Sequence, residues 1–198
     1  MSGGIEWLVD QEDWQHGIVF ARGIGPEELA VRMGGVQGSV VSPITGMEAW
    51  DMVLDLATDD DAVVRVGACA GWSFAVEYGL ASGGDKLAEV SRSAVEAIHL
   101  DPSPDHPPAM LSYARDGVDV CSFGIGEEVW RWGDQPDLLF PELVAAGVLY
   151  PDGGYARPDD ESYRDRDRLT LALIGSRFGL SLSQDEVESQ PLLAFIVG

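Results

Sequence analysis

Residues 109–123 (AMLSYARDGVDVCSF) constrain the fold more than any other stretch, because two runs of alternating character are joined there by Asp116-Gly117. Asp-Gly between such runs is the signature of a two-residue type I′ hairpin, whose positive φ angles suit the twist of antiparallel strands. In the register that turn dictates, Tyr113 faces Val120 and Leu111 faces Ser122. An isolated hairpin is marginal in water, so the chain must build a larger sheet around it. A second unit agrees. Val63 to Ala68 is apolar except for Arg65, and after Ala70-Gly71 the residues Trp72, Phe74, Val76 and Tyr78 alternate with Ser73, Ala75 and Glu77. That pattern predicts a half-buried strand with one aromatic face.

Helical signals flank these strands. Pro26-Glu27-Glu28 suits a helix start and Gly34-Gly35 a stop, giving a two-turn helix over 26–33. Thr45 and Glu48 form a capping box ahead of a stripe of Trp50, Val53, Leu54 and Ala57. Gly83-Gly84-Asp85 leads into a short helix carrying Leu87 and Val90. Ala94 to Leu100 is a further strand, followed by the Pro-rich loop 101–108. Leu138 to Ala146 is helical and stops at Gly147. Asp165 to Phe178 is an amphipathic helix closed by Gly179. Ser183 and Glu186 cap a short helix, and Leu192 to Val197 is strand or extended. Strands in the middle with helices at both ends predict an α+β fold, a central antiparallel β-sheet of about 5–7 strands with helices before and after it. The chain reads as one domain over 1–198. Its main sheet and helices occupy 1–149, an exposed acidic loop 150–163, and a C-terminal helical segment 164–198.

Charge narrows the partners. There are 34 acidic residues against 12 basic ones, a net charge of −22, yet 45% of residues are hydrophobic, enough to build a core. Such a chain lacks the basic footprint of a direct nucleic-acid binder and is repelled by anionic lipid. Lys86 is the only lysine beside eleven arginines, as in GC-rich bacterial or phage genomes, whose proteins often run acidic, so the acidity is either functional or compositional bias. The first fifteen residues offer no basic signal region, and no apolar run approaches the roughly 20 residues that span a bilayer. Cys69 and Cys121 fall in strand-like runs, as reduced, buried hydrophobes do. The expectation is a cytoplasmic protein without membrane contact.

Catalytic and metal motifs do not assemble. Gly23-Ile24-Gly25 and Gly124-Ile125-Gly126 lack the third glycine of a dinucleotide fingerprint, and no phosphate-binding Gly-Lys-Ser/Thr is present. The only histidines, His16, His99 and His106, frame neither a metal site nor a nucleophile–base pair. No cofactor is called for. Trp130-Arg131-Trp132 lies in a segment that reads as loop; it either packs over the sheet edge or forms a partner-facing patch of the Trp/Arg hot-spot kind. Candidate partner-binding residues are therefore Trp130, Arg131 and Trp132, with the acids Asp59, Asp60, Asp61, Glu127 and Glu128. Glu77 and Arg65 are candidate buried polar residues. If its sheet face is covered, Glu77 needs a partner such as Arg65; if that face is wet, Glu77 is solvated, the reading favoured by the alternation.

Several short motifs also stand in a familiar order. They are Phe20-Ala-Arg-Gly with Pro26-Glu-Glu-Leu, Gly71-Trp-Ser-Phe-Ala-Val-Glu77, Leu87 to Ser91, Tyr113-Ala-Arg-Asp-Gly117 with Ser122-Phe123, and Leu169 to Phe178 before Leu182-Ser183. Together they resemble a domain-of-unknown-function family found widely in actinobacteria. Its members read as Val-Arg-Gly-Leu-Pro-Glu-Glu, Gly-Gly-Trp-Thr-x-x-x-Glu, Leu-Ser-x-Gly and Tyr-x-x-Asp-Gly. Ala70 and Ser93 stand where that pattern has glycine. The 101–108 loop and the Trp130–Trp132 stretch are peculiar to this chain. The resemblance implies the same α+β architecture and a bacterial origin, and supplies no activity or site residue.

These readings lead to a non-enzymatic acidic binding protein of immunity, antitoxin or accessory-regulator type that engages a basic protein. Two alternatives stand beside it: a small-ligand-binding or carboxylate-based enzyme domain, and a DNA-mimic inhibitor.

Overall fold

The structure is a computed structural model that describes residues 4–10, 14–36, 38, 41–56, 61–79, 82–103, 107–156 and 163–198. Its frame is one nine-stranded sheet. The strands are β1 (Ile18–Arg22), β2 (Val41–Ile44), β3 (Ala62–Cys69), β4 (Trp72–Tyr78), β5 (Glu96–Asp101), β6 (Met110–Arg115), β7 (Val118–Gly124), β8 (Arg131–Trp132) and β9 (Leu192–Val197). Their order is β2-β9-β3-β4-β1-β5-β6-β7-β8, and every pairing is antiparallel. Six α-helices are described: α1 (Pro26–Arg32), α2 (Gly46–Leu54), α3 (Gly83–Val90), α4 (Phe140–Ala145), α5 (Tyr163–Phe178) and α6 (Gln184–Glu188). The fold is α+β, with more strands than the sequence patterns predict.

The two faces of the sheet differ in side-chain size. One carries Phe20, Trp72, Phe74, Tyr78, Ile98, Leu111 and Phe123, and packs against α4, α5, α6 and a 3₁₀ turn at Glu6–Asp10. The other carries Val19, Ala21, Ala75, Ala97 and Ala114, and the small residues admit α1 and α3. Both faces are therefore covered, and every residue of β4 is buried. The half-buried reading of β4 is corrected here. Ser73 and Ala75 face helices rather than water, and the Ser73 hydroxyl donates to Ile24 O at 2.7 Å.

The 109–123 hairpin is present, with Asp116 and Gly117 at φ of 52° and 81°. Its register holds only next to the turn. Arg115 pairs with Val118 and Ala114 with Asp119, but a bulge then shifts Tyr113 onto Cys121 and Leu111 onto Phe123. The extra residue is Val120, and the slip puts Cys121 and Phe123 on the aromatic face beneath α4 and α5. Both capping boxes form, at Thr45/Glu48 and Ser183/Glu186. The α2 stripe does not bury as expected: Leu54 is 82% exposed and Trp50 is at the surface. The helix docks instead through Gly46 and Ala49, because Gly46 passes so close to Glu188 O that a Cβ there would lie 3.0 Å from it. Ala57 lies outside the described residues.

Leu192–Val197 is strand, one of the two forms expected for it, and as β9 it inserts between β2 and β3. Within the 150–163 stretch, Tyr155 bridges to Leu149 and its hydroxyl donates to Gly126 O at 3.0 Å, tying residues 150–156 to the body.

Candidate functional site

Arg65 and Glu77 are both buried, at 0% and 3% exposure, so the covered-face reading holds and the solvated reading of Glu77 does not. They are not partners. Val64 pairs with Glu77 while Arg65 pairs with Val76, which sends the two side chains to opposite faces. Arg65 serves the aromatic face. Its Nε donates to Ile44 O at 2.9 Å, Nη1 to Tyr78 Oη at 2.6 Å and to Val187 O, and Nη2 to Gln190 O. One guanidinium thus ties β2, β4 and the C-terminal end of α6 together.

Glu77 serves the opposite face. Its Oε1 accepts the Ser82 and Gly83 amides at 3.0 and 2.7 Å, capping the start of α3, and Oε2 lies 3.0 Å from His99 Nε2. Glycines fence the pair: a Cβ on Gly17 would fall 2.2 Å from Glu77 Oε2, and one on Gly83 would fall 2.6 Å from Val19. His16 closes the outer end, with Nδ1 3.2 Å from Glu77 O and its ring against Tyr78. Burial lowers the His16 pKa, opposed by that backbone contact. The cluster is buried and hydrogen-bonded within the chain, and it joins β4, β5 and the start of α3 as a scaffold node.

The Trp130–Trp132 stretch lies at the other end of the sheet. Arg131 and Trp132 are strand rather than loop, forming β8 on the outer side of β7. Trp130 is 72% exposed and Trp132 46%, so neither ring packs into the core. Arg131 is pinned from behind: Nη2 lies 2.9 Å from Asp137 Oδ1, Nη1 donates to Glu128 O at 2.5 Å, and the guanidinium stacks on Phe140. Glu127, Asp119, Asp134 and Asp137 are exposed around this edge. Glu128 is not. It is fully buried, which removes it from the set of partner-facing acids. Asp61 is half-buried beside Gly198, while Asp59 and Asp60 lie outside the described residues, as does His106.

Glu128 belongs to a polar cluster that local sequence patterns did not signal. Its Oε1 accepts the Gly126 amide at 2.8 Å and the Thr170 hydroxyl at 2.6 Å. Among the described residues its Oε2 has no hydrogen-bond partner, and neither does the buried Oδ1 of Asp167, one turn before Thr170 on α5. Burial, with Glu128 adding repulsion against the pull of Arg166, pushes the Asp167 carboxyl up to about 6. Asp167 lines a cavity of about 610 Å³, walled by Pro107, Pro108, Ile125, Tyr155 and Tyr163. The Arg166 guanidinium lies over Tyr155 at 4.8 Å and beside Tyr163 at 5.4 Å.

A smaller cavity of about 200 Å³ holds Arg22, Glu96, Arg115 and Arg177. Register places Arg22, Glu96 and Arg115 side by side across β1, β5 and β6, so Glu96 offsets two of these cations in a cross-strand row. Arg177 pairs with Glu142 at 3.1 Å. Both cysteines are free, and burial pushes each thiol up to about 11, which makes them poor nucleophiles. Among the described residues no group of three or more His, Cys, Asp and Glu could hold a metal ion, and no helix is long and apolar enough to cross a membrane.

Comparison with family models, curated proteins and solved structures gave no match.

Proposed function

We propose that this is a non-enzymatic acidic binding protein, of immunity, antitoxin or accessory-regulator type, that engages a basic protein partner in the cytoplasm through the sheet edge at β8. The observation that supports it is the exposure of two tryptophans, Trp130 and Trp132, on an edge strand ringed by Glu127, Asp119, Asp134 and Asp137. Exposed indoles beside an edge strand give a partner both apolar area and a backbone to pair with. The surrounding carboxylates, with a net charge of −22, speed encounter with a cationic surface and disfavour nucleic acid.

The test is a pull-down from host lysate with the wild-type chain and with the Trp130→Ala/Trp132→Ala double variant, at low and moderate salt, read by mass spectrometry. The expected result is one stoichiometric basic protein, weakened by salt and lost with the double variant. Capture of nothing at either salt, or equal capture by the double variant, rejects the reading.

A further inference from the structure

We propose that the pocket where the ends of β1, β5 and β6 meet the C-terminal turn of α5 binds a single phosphate group, free or carried as a small phosphomonoester. The proposal is independent of the protein-binding reading.

Local charge points to an anion. The chain has 12 basic residues against 34 acidic ones, yet three arginines, Arg22, Arg115 and Arg177, line this one pocket of about 200 Å³ with a single carboxylate, Glu96. Strand register sets the row. Arg22 pairs with Glu96 across β1 and β5, and Glu96 with Arg115 across β5 and β6. Arg177, in the last turn of α5, adds the third cation from the helix layer. Three guanidinium cations less one carboxylate leave the lining with an excess of two positive charges, on a chain whose net charge is −22. Remote carboxylates are screened beyond roughly 8 Å at physiological ionic strength, so the local excess governs what the concave site attracts.

Unbonded donors point to the geometry of that anion. Both oxygens of Glu96 are engaged: Oε2 accepts from Arg22 Nε at 2.7 Å and from Arg22 Nη2, and Oε1 accepts from the Tyr113 hydroxyl at 3.2 Å. Arg22 also lies over the Trp72 ring at 4.6 Å, which fixes it at one wall. Arg115 stands opposite Glu96 in register but forms no hydrogen bond or ion pair among the described residues. Arg177 gives its Nε to Glu142, outside the lining, at 3.1 Å. Each guanidinium carries five N–H donors in a planar fork, so most of those around the pocket have no acceptor in the chain. A tetrahedral dianion offers acceptors in several directions and matches the excess of two charges, whereas a carboxylate offers one plane and one charge. The floor is apolar, formed by Val120, Leu138 and Phe178, the last in ring contact with Tyr113 at 4.9 Å. The volume is smaller than that of ordinary small-molecule sites and suits one phosphate with a short apolar stem.

The probes are inorganic phosphate and phenyl phosphate, with acetate as the carboxylate control, titrated into the full chain at constant ionic strength and about pH 8, where phosphate is nearly a dianion. Calorimetry and the arginine Nε–H signals in NMR follow binding. The expected result is saturable binding of phosphate, about tenfold or more tighter than acetate, about tenfold or more weaker in Arg115→Gln, and unchanged in Arg92→Gln, which removes an exposed arginine paired with Glu89 outside the pocket. Tighter binding of phenyl phosphate than of inorganic phosphate assigns the site to phosphomonoesters, and the reverse order assigns it to the free ion. No saturable binding of either probe, equal binding of acetate, unchanged affinity in a folded Arg115→Gln variant, or an equal loss in Arg92→Gln overturns the proposal. If Arg115→Gln does not fold, the wild-type chain decides: saturating phosphate should shift the Arg22 and Arg177 Nε–H signals, and unmoved signals overturn the proposal.

Discussion

Glu77 and Glu128 are both glutamates sealed from solvent, yet they are finished differently. Around Glu77 one oxygen takes two amides at the start of α3, the other meets His99, and the backbone at Gly17 and Gly83 passes close against the pair. Around Glu128 one oxygen takes an amide and a hydroxyl, the other has no partner among the described residues, and its neighbour Asp167 lines a cavity. Burial alone thus says little about role. The number of bonds completed among the described residues separates a closed polar node from one that keeps unspent hydrogen-bonding capacity.

The sharpest test of the closed type is Arg65→Ala. It takes the Arg65 donor from the Ile44 and Gln190 carbonyls and the Tyr78 hydroxyl and leaves Val187 O with only the long bond from Tyr78 Oη, and a loss of about 3–5 kcal/mol in denaturant unfolding is expected. A loss below about 1 kcal/mol would break the distinction. Gly17→Ala comes next. Its new methyl meets Glu77 Oε2, and about 2–3 kcal/mol should be lost as the Glu77–His99 pair is forced apart.

The open type predicts the opposite sign. The Asp167 carboxyl titrates near 6 in the folded chain, above its ordinary value of 3.8, because burial favours the protonated form. Stability from this group is therefore complete below the unfolded pKa and is lost as pH rises through about 6. Asp167→Asn removes that dependence. It should raise stability at neutral pH by about 1 kcal/mol, a figure reduced for the partial exposure of the group. Thermal unfolding of both proteins across that pH range checks it; a wild-type curve that rises with pH over the same interval would contradict it. The smallest effects belong to the backbone. Ala70 and Ser93 hold φ of 49° and 64°, at the two positions where the resembled pattern carries glycine. Replacing either by Gly should add about 0.5–1 kcal/mol, measured as a shift in denaturant midpoint, with the relief of strain partly offset by the entropy of the unfolded glycine.

Features with local causes were legible in the sequence. The Asp116-Gly117 turn, the two capping boxes and the glycine stops after α4 and α5 depend on residues a few positions apart. Features decided by distant chain were not. Ser73, Ala75 and Glu77 alternate with aromatics as a wet face would, and only the docking of α1 and α3 turns that face into core. β2 carries Pro43 and β8 has two residues, so neither shows a period of two. The Val120 bulge is set by what α4 and α5 bury, which the hairpin itself does not encode. The edge tryptophans could be named in advance as candidates. The Glu128–Asp167 cluster could not, because its halves come from a turn and a helix brought together in space. Its one local trace was Asp167 and Thr170 at i, i+3 beside the buried Leu171 and Ile174.

The position of β9 bears on how the protein is made. β2 joins the sheet only through β9, and β3 has β9 as its outer neighbour, although β2 and β9 lie about 150 residues apart in sequence. At ordinary translation rates the ribosome takes on the order of ten seconds to cover that distance. Through that interval Ala62–Val66 of β3 presents an open, apolar flank to any other nascent strand. The flank of β3 therefore stays without its strand partner until residues 192–197 arrive to pair with it.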